Sequence, residues 1–143
     1  MIVGVDPDSE LHGVAVYENG KLIDLKMMET YDLATYIRDV GGVASIENVM
    51  ANQFVYRRNQ KSSRAMQDKI ALHIGRCQQA QLELVRLLIK FDCPHVLYKP
   101  MRGNWSKNKA QFEKATGWTG RSNADTRSAA FFGFLALRDQ GEG

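Results

Sequence analysis

Met1-Ile-Val-Gly-Val-Asp-Pro-Asp-Ser9, with Gly13-Val-Ala-Val-Tyr17 and Lys21-Leu-Ile-Asp-Leu25 after it, decides the fold. Residues 1–5 form a short apolar run that reads as a strand. Asp6-Pro7-Asp8-Ser9 is turn chemistry that ends it. Residues 13–17 read as a second strand. Asn19-Gly20 is the strongest short hairpin signal in the chain. Residues 21–25 then return as a third strand that continues to about Met28. Three antiparallel strands in a meander therefore open the chain.

The rest alternates. Leu33, Tyr36, Ile37 and Val40 fall at helical spacing, with Thr30 as the cap and Gly41-Gly42 as the stop. Residues 43–46 read as a fourth strand ending at Glu47. Residues 48–61 are a polar, basic loop carrying Phe54, Val55 and Tyr56. Ser62-Ser63 can cap a helix that runs to about Lys90, roughly 28 residues or about 42 Å. Ile70, Ile74, Cys77, Leu84 and Leu88 give it one apolar face, and Leu72, Leu82, Val85 and Ile89 a second. One face suits the sheet; the other fits either a wide core stripe or a partner subunit. Residues 95–98 read as a fifth strand. A short helix is expected around residues 107–116, and a last helix runs from Asp125 to Arg138. The order β-β-β-α-β-α-β-α predicts a mixed five-stranded sheet flanked by helices, an α/β fold.

Length and composition bound the function. The chain has 143 residues, 44% of them hydrophobic, as expected for one compact domain spanning 1–143. No stretch reaches the length of a membrane span and no basic leader precedes an apolar run, so a cytoplasmic location is expected. Cys77 and Cys93 form no Cys-x-x-Cys pair and are expected to be buried free thiols rather than zinc ligands or a disulfide. His73, within a helix, reads as a packed or surface residue. The net charge of +3 conceals an asymmetry. Residues 1–48 carry three Lys/Arg against nine Asp/Glu; residues 49–143 carry sixteen against seven. An acidic region beside a basic one suits a polyanion held near an acidic metal site.

Three acids stand at telling places. Asp6 closes strand one, Glu47 closes strand four, and Asp125 begins the last helix. If strands one and four are parallel neighbours, both carboxylates lie at the sheet edge where open α/β sheets build their sites. Each acid alone reads as a turn residue, a strand-end charge or a helix cap. Together they require compensation, because like charges repel strongly at close range. Mg²⁺ or Mn²⁺, bound by oxygen ligands, supplies it, and two such ions about 4 Å apart suit phosphodiester hydrolysis.

These residues resemble RuvC-type Holliday junction resolvases of the ribonuclease H-like superfamily. Residues 1–9 followed by Gly13-Val-Ala-Val16 are similar to the family's first motif, a strand ending Gly-Ile/Val-Asp-Pro-Gly-Ser before a small-residue strand. Ala44-Ser-Ile-Glu-Asn48 looks like its second, an apolar strand ending in a catalytic glutamate. Asn123-Ala-Asp-Thr-Arg-Ser-Ala129 resembles the last-helix motif of phage-type members, Asn-x-His/Asp-x-Arg-Asp-Ala. The resemblance spans nearly the whole chain. It implies that Asp6 bridges two ions, that Glu47 binds one, and that Asp125 is the first of two helix ligands. Ser128 stands where many members carry their last aspartate, and shares a helix face with Asp125. In the alternative register Ser122 and Asp125 are the pair. Asp8 replaces a glycine of the first motif and reads as a turn residue.

The resemblance implies a homodimeric endonuclease on branched DNA such as a four-way junction. Arg57, Arg58, Lys61 and Arg64 after Glu47, and Lys99, Arg102, Lys107, Lys109, Lys114 and Arg121 before Asp125, are expected to grip phosphates. Phe54, Tyr56 and Trp105 are candidates for stacking on unpaired bases; Trp118 is better placed for local packing. Rival readings are a nuclease on RNA–DNA hybrids and a branch-DNA binder with a degenerate site. The sugar-kinase/actin ATPase group needs a second lobe for which 143 residues leave no room.

Overall fold

The computed structural model describes residues 1–51 and 63–141. The strands are β1 (Ile2–Asp6), β2 (His12–Glu18), β3 (Lys21–Met28), β4 (Val43–Glu47) and β5 (His95–Tyr98). The helices are α1 (Thr30–Val40), α2 (Arg64–Lys90), α3 (Lys109–Thr116) and α4 (Ala124–Gly141). Short 3-10 turns cover Val49–Ala51 and Trp105–Lys107. The sheet order is β3-β2-β1-β4-β5. The first three strands are antiparallel, and β4 and β5 add parallel to β1. The expected element order and mixed sheet are both present.

The period of two along each strand sorts the side chains into two layers. Val3, Val5, Val14, Val16, Ala44 and Ile46 face one way and pack under α1 and α2 through Leu33, Ile37, Leu84 and Leu88. Ile2, Ala15 and Tyr17 face the other way, against Ala129, Ala130 and Ala136 of α4 and against Trp105 and Phe112. By the same alternation Gly4, Asp6, Gly13, Ser45 and Glu47 belong to the α4 side.

That side is built for close approach. A Cβ on Gly4 would collide with the Ala129 carbonyl and lie 2.8 Å from the Gly133 nitrogen. A Cβ on Gly13 would overlap the Asp125 backbone. A Cβ on Gly133 would lie 2.7 Å from the Tyr17 ring. The helix backbone therefore rests on the β1 backbone with no side chain between them. Two buried hydroxyls tie it down: Tyr17 donates to the Ala130 carbonyl and Ser45 to the Phe132 carbonyl, each at 2.6 Å.

Several local expectations change. Thr30 does not cap α1; Glu29 holds the cap position without a side-chain bond. The Thr30 hydroxyl instead meets His12 Nε2 at 2.7 Å. His12 Nδ1 accepts from the Asp8 N–H at 3.2 Å, so its proton sits on Nε2 and is donated to Thr30. Burial pushes the His12 pKa down to about 4, which keeps the ring neutral. Ser63 does cap α2, accepting from the Met66 N–H at 3.1 Å. The C-terminal half of α2 carries the core contacts, while Met66, Ile70 and Leu72 near its start are exposed. Cys93 is buried, but Cys77 is only half-buried. Trp105 is 4% exposed and packs against Phe112, Phe131 and Phe134, so it anchors the core and cannot stack on a base. Trp118 packs locally, donating to the Arg121 carbonyl at 3.0 Å. Among the described residues, no helix is long and apolar enough to cross a membrane.

Candidate active site

β1 and β4 run parallel in the register Val5↔Ile46, so Asp6 and Glu47 end neighbouring strands at one edge and on one face. α4 crosses that face. Its start is capped by reciprocal bonds: Asn123 Oδ1 accepts from the Thr126 N–H at 2.8 Å, and Thr126 Oγ1 from the Asn123 N–H at 2.9 Å. Asn123 and Thr126 thus satisfy the helix start, and Asp125 is left to act elsewhere. The tight seat at Gly13 brings Asp125 down onto the sheet.

Asp6, Glu47, Asp125 and Ser128 converge. Burial first, then the charges of Glu47 and Asp125, together raise the Asp6 pKa to about 8, against a smaller lowering by the Ser128 hydrogen bond. Burial also raises Glu47, with Asp6 opposing. Asp125 is raised by burial and by the charge of Asp8. In the absence of a cation, a proton on Asp6 relieves the repulsion. The donor set is carboxylate and hydroxyl oxygen only, which fits a hard divalent ion. Ser128, 3% exposed, lies beside Asp6, whereas Ser122 accepts from Arg127 Nη1 at 3.0 Å.

The two residues that follow Glu47 are braced by α2. Gln81 of α2 is 2% exposed; its Oε1 accepts from the Val49 N–H at 2.7 Å and its Nε2 donates to Asn48 Oδ1 at 3.0 Å. Gln78 Nε2 donates to the Val49 carbonyl at 3.2 Å. Arg127 is a second brace. Its guanidinium donates to the carbonyls of Trp105 and Ser106 at 3.3 and 2.8 Å, as well as to Ser122. That clamp joins α4 to the basic segment before α3. Neither Gln81 nor Arg127 stands out in sequence as a support, because their partners are main-chain groups that no pattern reports.

Arg102, Lys107, Lys109 and Arg121 are exposed, and none forms an ion pair among the described residues. Arg102 and Lys107 line one concave surface with Asn104, Ser106 and Gln111. Arg64 is exposed and pairs with Asp68 at 3.4 Å. Phe54, Tyr56, Arg57, Arg58 and Lys61 lie outside the described residues.

The sheet order, the mixed pairing and the helix crossing at the ends of β1 and β4 define a ribonuclease H-like fold in its RuvC arrangement. RuvC of Thermus thermophilus in complex with a Holliday junction substrate superposes with a TM-score of 0.61 at 14% identity, over 99% of this chain and 95% of that one. Thermus thermophilus RuvC solved separately gives 0.53 at 14% identity, over 99% and 96%. The Fowlpox virus resolvase in complex with Holliday junction DNA gives 0.51 at 14% identity, over 97% and 99%. No family model and no curated protein sequence matches the chain. At this identity the likeness carries the fold.

Proposed function

We propose that the protein is a metal-dependent endonuclease that hydrolyses phosphodiester bonds in branched DNA, with the four-way junction as its principal substrate. The observation that carries this reading is the convergence of Asp6, Glu47 and Asp125 at the carboxyl edge of β1 and β4. Three half-buried acids, each with its pKa raised by burial and Asp6 raised also by the charges of the other two, form a costly arrangement without a cation. Asp6, Glu47 and Asp125 would hold Mg²⁺ or Mn²⁺, with Ser128 as a neutral fourth donor. When bound, such ions supply an activated water and charge stabilisation for an in-line displacement. The chain's own part is to fix the acids on strand ends and a helix start, where the glycine seats leave little freedom. Lys107, Lys109 and Arg121, with Arg102 beside them, are placed to grip the phosphate backbone. Arg57, Arg58, Lys61 and Arg64, with Phe54 for stacking, extend that grip in this reading. The likeness to two proteins solved with Holliday junctions favours branched DNA over an RNA–DNA hybrid.

The test is cleavage of four-way junction, flap, duplex and RNA–DNA hybrid, with and without Mg²⁺. Junction cleavage only with Mg²⁺ supports the reading. Cleavage of the hybrid alone moves the substrate, and binding without cleavage moves the protein to a branch binder.

Ser128 sets the affinity for the second ion in this reading, since a hydroxyl cannot neutralise a divalent charge. Ser128→Asp is expected to lower the Mg²⁺ concentration for half-maximal cleavage about tenfold, the effect of about 1.4 kcal/mol of added coordination. It is also expected to enlarge the rise in melting temperature on adding Mg²⁺. An unchanged metal requirement and an unchanged melting shift together remove Ser128 from the ion site.

A homodimer is part of the same reading, because a symmetric junction needs two cuts. Met66, Ile70 and Leu72 leave exposed apolar surface on the first half of α2. Sedimentation of the protein at micromolar concentration is expected to give a dimer. A monomer both free and on the junction would exclude paired cutting within one assembly.

A further inference from the structure

The first half of α2 is tied back to the sheet by an unusual group of side chains. His73 and Cys77 are four residues apart and share a helix face. Both reach Asp8, in the turn after β1. Cys77 Sγ is 3.7 Å from Asp8 Oδ1 and 3.6 Å from His73 Nε2. His73 Nε2 is 4.0 Å from Asp8 Oδ1. All three potential ligand atoms therefore lie within 4.8 Å of one another. A tetrahedral zinc ion bound by sulfur, nitrogen and oxygen at about 2.0–2.3 Å requires ligand–ligand separations of roughly 3.4–3.6 Å. Two of the three distances are already within about 0.1–0.2 Å of that range, and His73 is 61% exposed, with room to close the third.

We propose that Asp8, His73 and Cys77 form a second metal site, for a thiophilic divalent ion of the zinc class, that clips the first half of α2 to the turn after β1. The donor chemistry separates it from the carboxylate site. All-oxygen donors suit Mg²⁺ or Mn²⁺, whereas thiolate and imidazole select zinc and its neighbours. The charges also balance, since one thiolate and one carboxylate neutralise a divalent ion. On binding, the Cys77 thiol forms the metal–sulfur bond and its proton passes to solvent. His73 binds through its neutral Nε2, and water takes the fourth position.

The turn is preorganised for this. The Asp8 carboxylate accepts from the Ser9 N–H at 2.6 Å, and the Asp8 N–H is held by the buried His12 ring. Burial and the adjacent Asp8 charge raise the metal-free Cys77 pKa to about 11, which leaves the thiol protonated until a cation arrives. The proposal does not depend on nuclease activity. It uses neither Asp6 nor Glu47 nor Asp125.

Co²⁺ is the direct probe, because only a thiolate ligand gives it an intense near-ultraviolet charge-transfer band. The full chain, stripped by chelator, is expected to develop that band and saturate at one equivalent. Cys77→Ser should abolish it, His73→Ala and Asp8→Asn should each weaken binding at least about tenfold, and Cys93→Ala should retain it. A measurement on the unsubstituted protein guards against variants that fail to fold: Zn²⁺ should slow alkylation of Cys77, and excess Mg²⁺ should not. A missing band, a band that survives Cys77→Ser, or alkylation that Zn²⁺ leaves unchanged overturns the site.

Discussion

Asp6→Asn is expected to lower junction cleavage by about 10³-fold or more while leaving junction affinity within about twofold. The substitution keeps the side chain's size and removes the central charge of the carboxylate group. It leaves the exposed basic residues untouched, so the proposed phosphate grip remains. Cleavage within tenfold of the parent would show that Asp6 is not the central ligand.

The same variant has a second signature, in stability. Asp6 in the metal-free fold is raised from 3.8 to about 8. A group raised on folding contributes stability below its unfolded pKa and loses it as pH climbs through the folded value. The metal-free protein should therefore melt at lower temperature at pH 8 than at pH 6.5. His12 acts in the opposite sense, costing stability only as pH falls below about 6.5 toward 4. The window from about pH 6.5 to 8 isolates the carboxylates. Asp6→Asn should flatten the melting curve across it and shrink the Mg²⁺-induced rise. An equally steep curve in the variant would place the titration elsewhere.

Gly4→Ala should lower the melting temperature by about 10 °C. One methyl at Gly4 meets backbone atoms of Ala129 and Gly133, which cannot rotate aside. The helix must lift, straining the bonds from Tyr17 and Ser45 to its carbonyls. Overpacking plus loss of one such bond costs about 3–4 kcal/mol, and a chain of this size loses roughly 3 °C per kcal/mol. Gly75→Ala, with nothing within 4 Å of the added methyl and no left-handed backbone to strain, is the control and should be neutral or stabilising. Equal melting of Gly4→Ala and the parent would mean that α4 does not rest on β1.

Sequence pattern carried the strands and helices because the signals are local. Asn19 and Gly20 both adopt positive φ, 51° and 78°, as the tight hairpin turn requires. Asp6 and Glu47 could be paired from sequence because each ends an apolar strand run. What lay beyond reach is relational. Trp105 reads as an exposed ring in a basic stretch until Phe112, Phe131 and Phe134 close around it. Thr30 reads as a cap until His12, eighteen residues earlier, claims its hydroxyl. Cys77 reads as an inert thiol because Asp8, sixty-nine residues away, is invisible to any spacing rule. Gly4 and Gly133 carry a hint, small residues on facing surfaces, but only the packed helix gives them a purpose.

The glycine contact between β1 and α4 also governs where the molecule can yield. Amides of β1 and of residues 129–133 sit in the most occluded layer and should exchange with deuterium only on global opening. Asp6, Glu47 and Asp125 are all carried by elements joined to that layer, so they move as one rigid body. The first half of α2, where Met66, Ile70 and Leu72 are exposed, has fewer buried contacts and should open at lower free energy. Under the proposed function, a branched duplex would then be accommodated by adjustment of this outer half-helix around an inflexible centre.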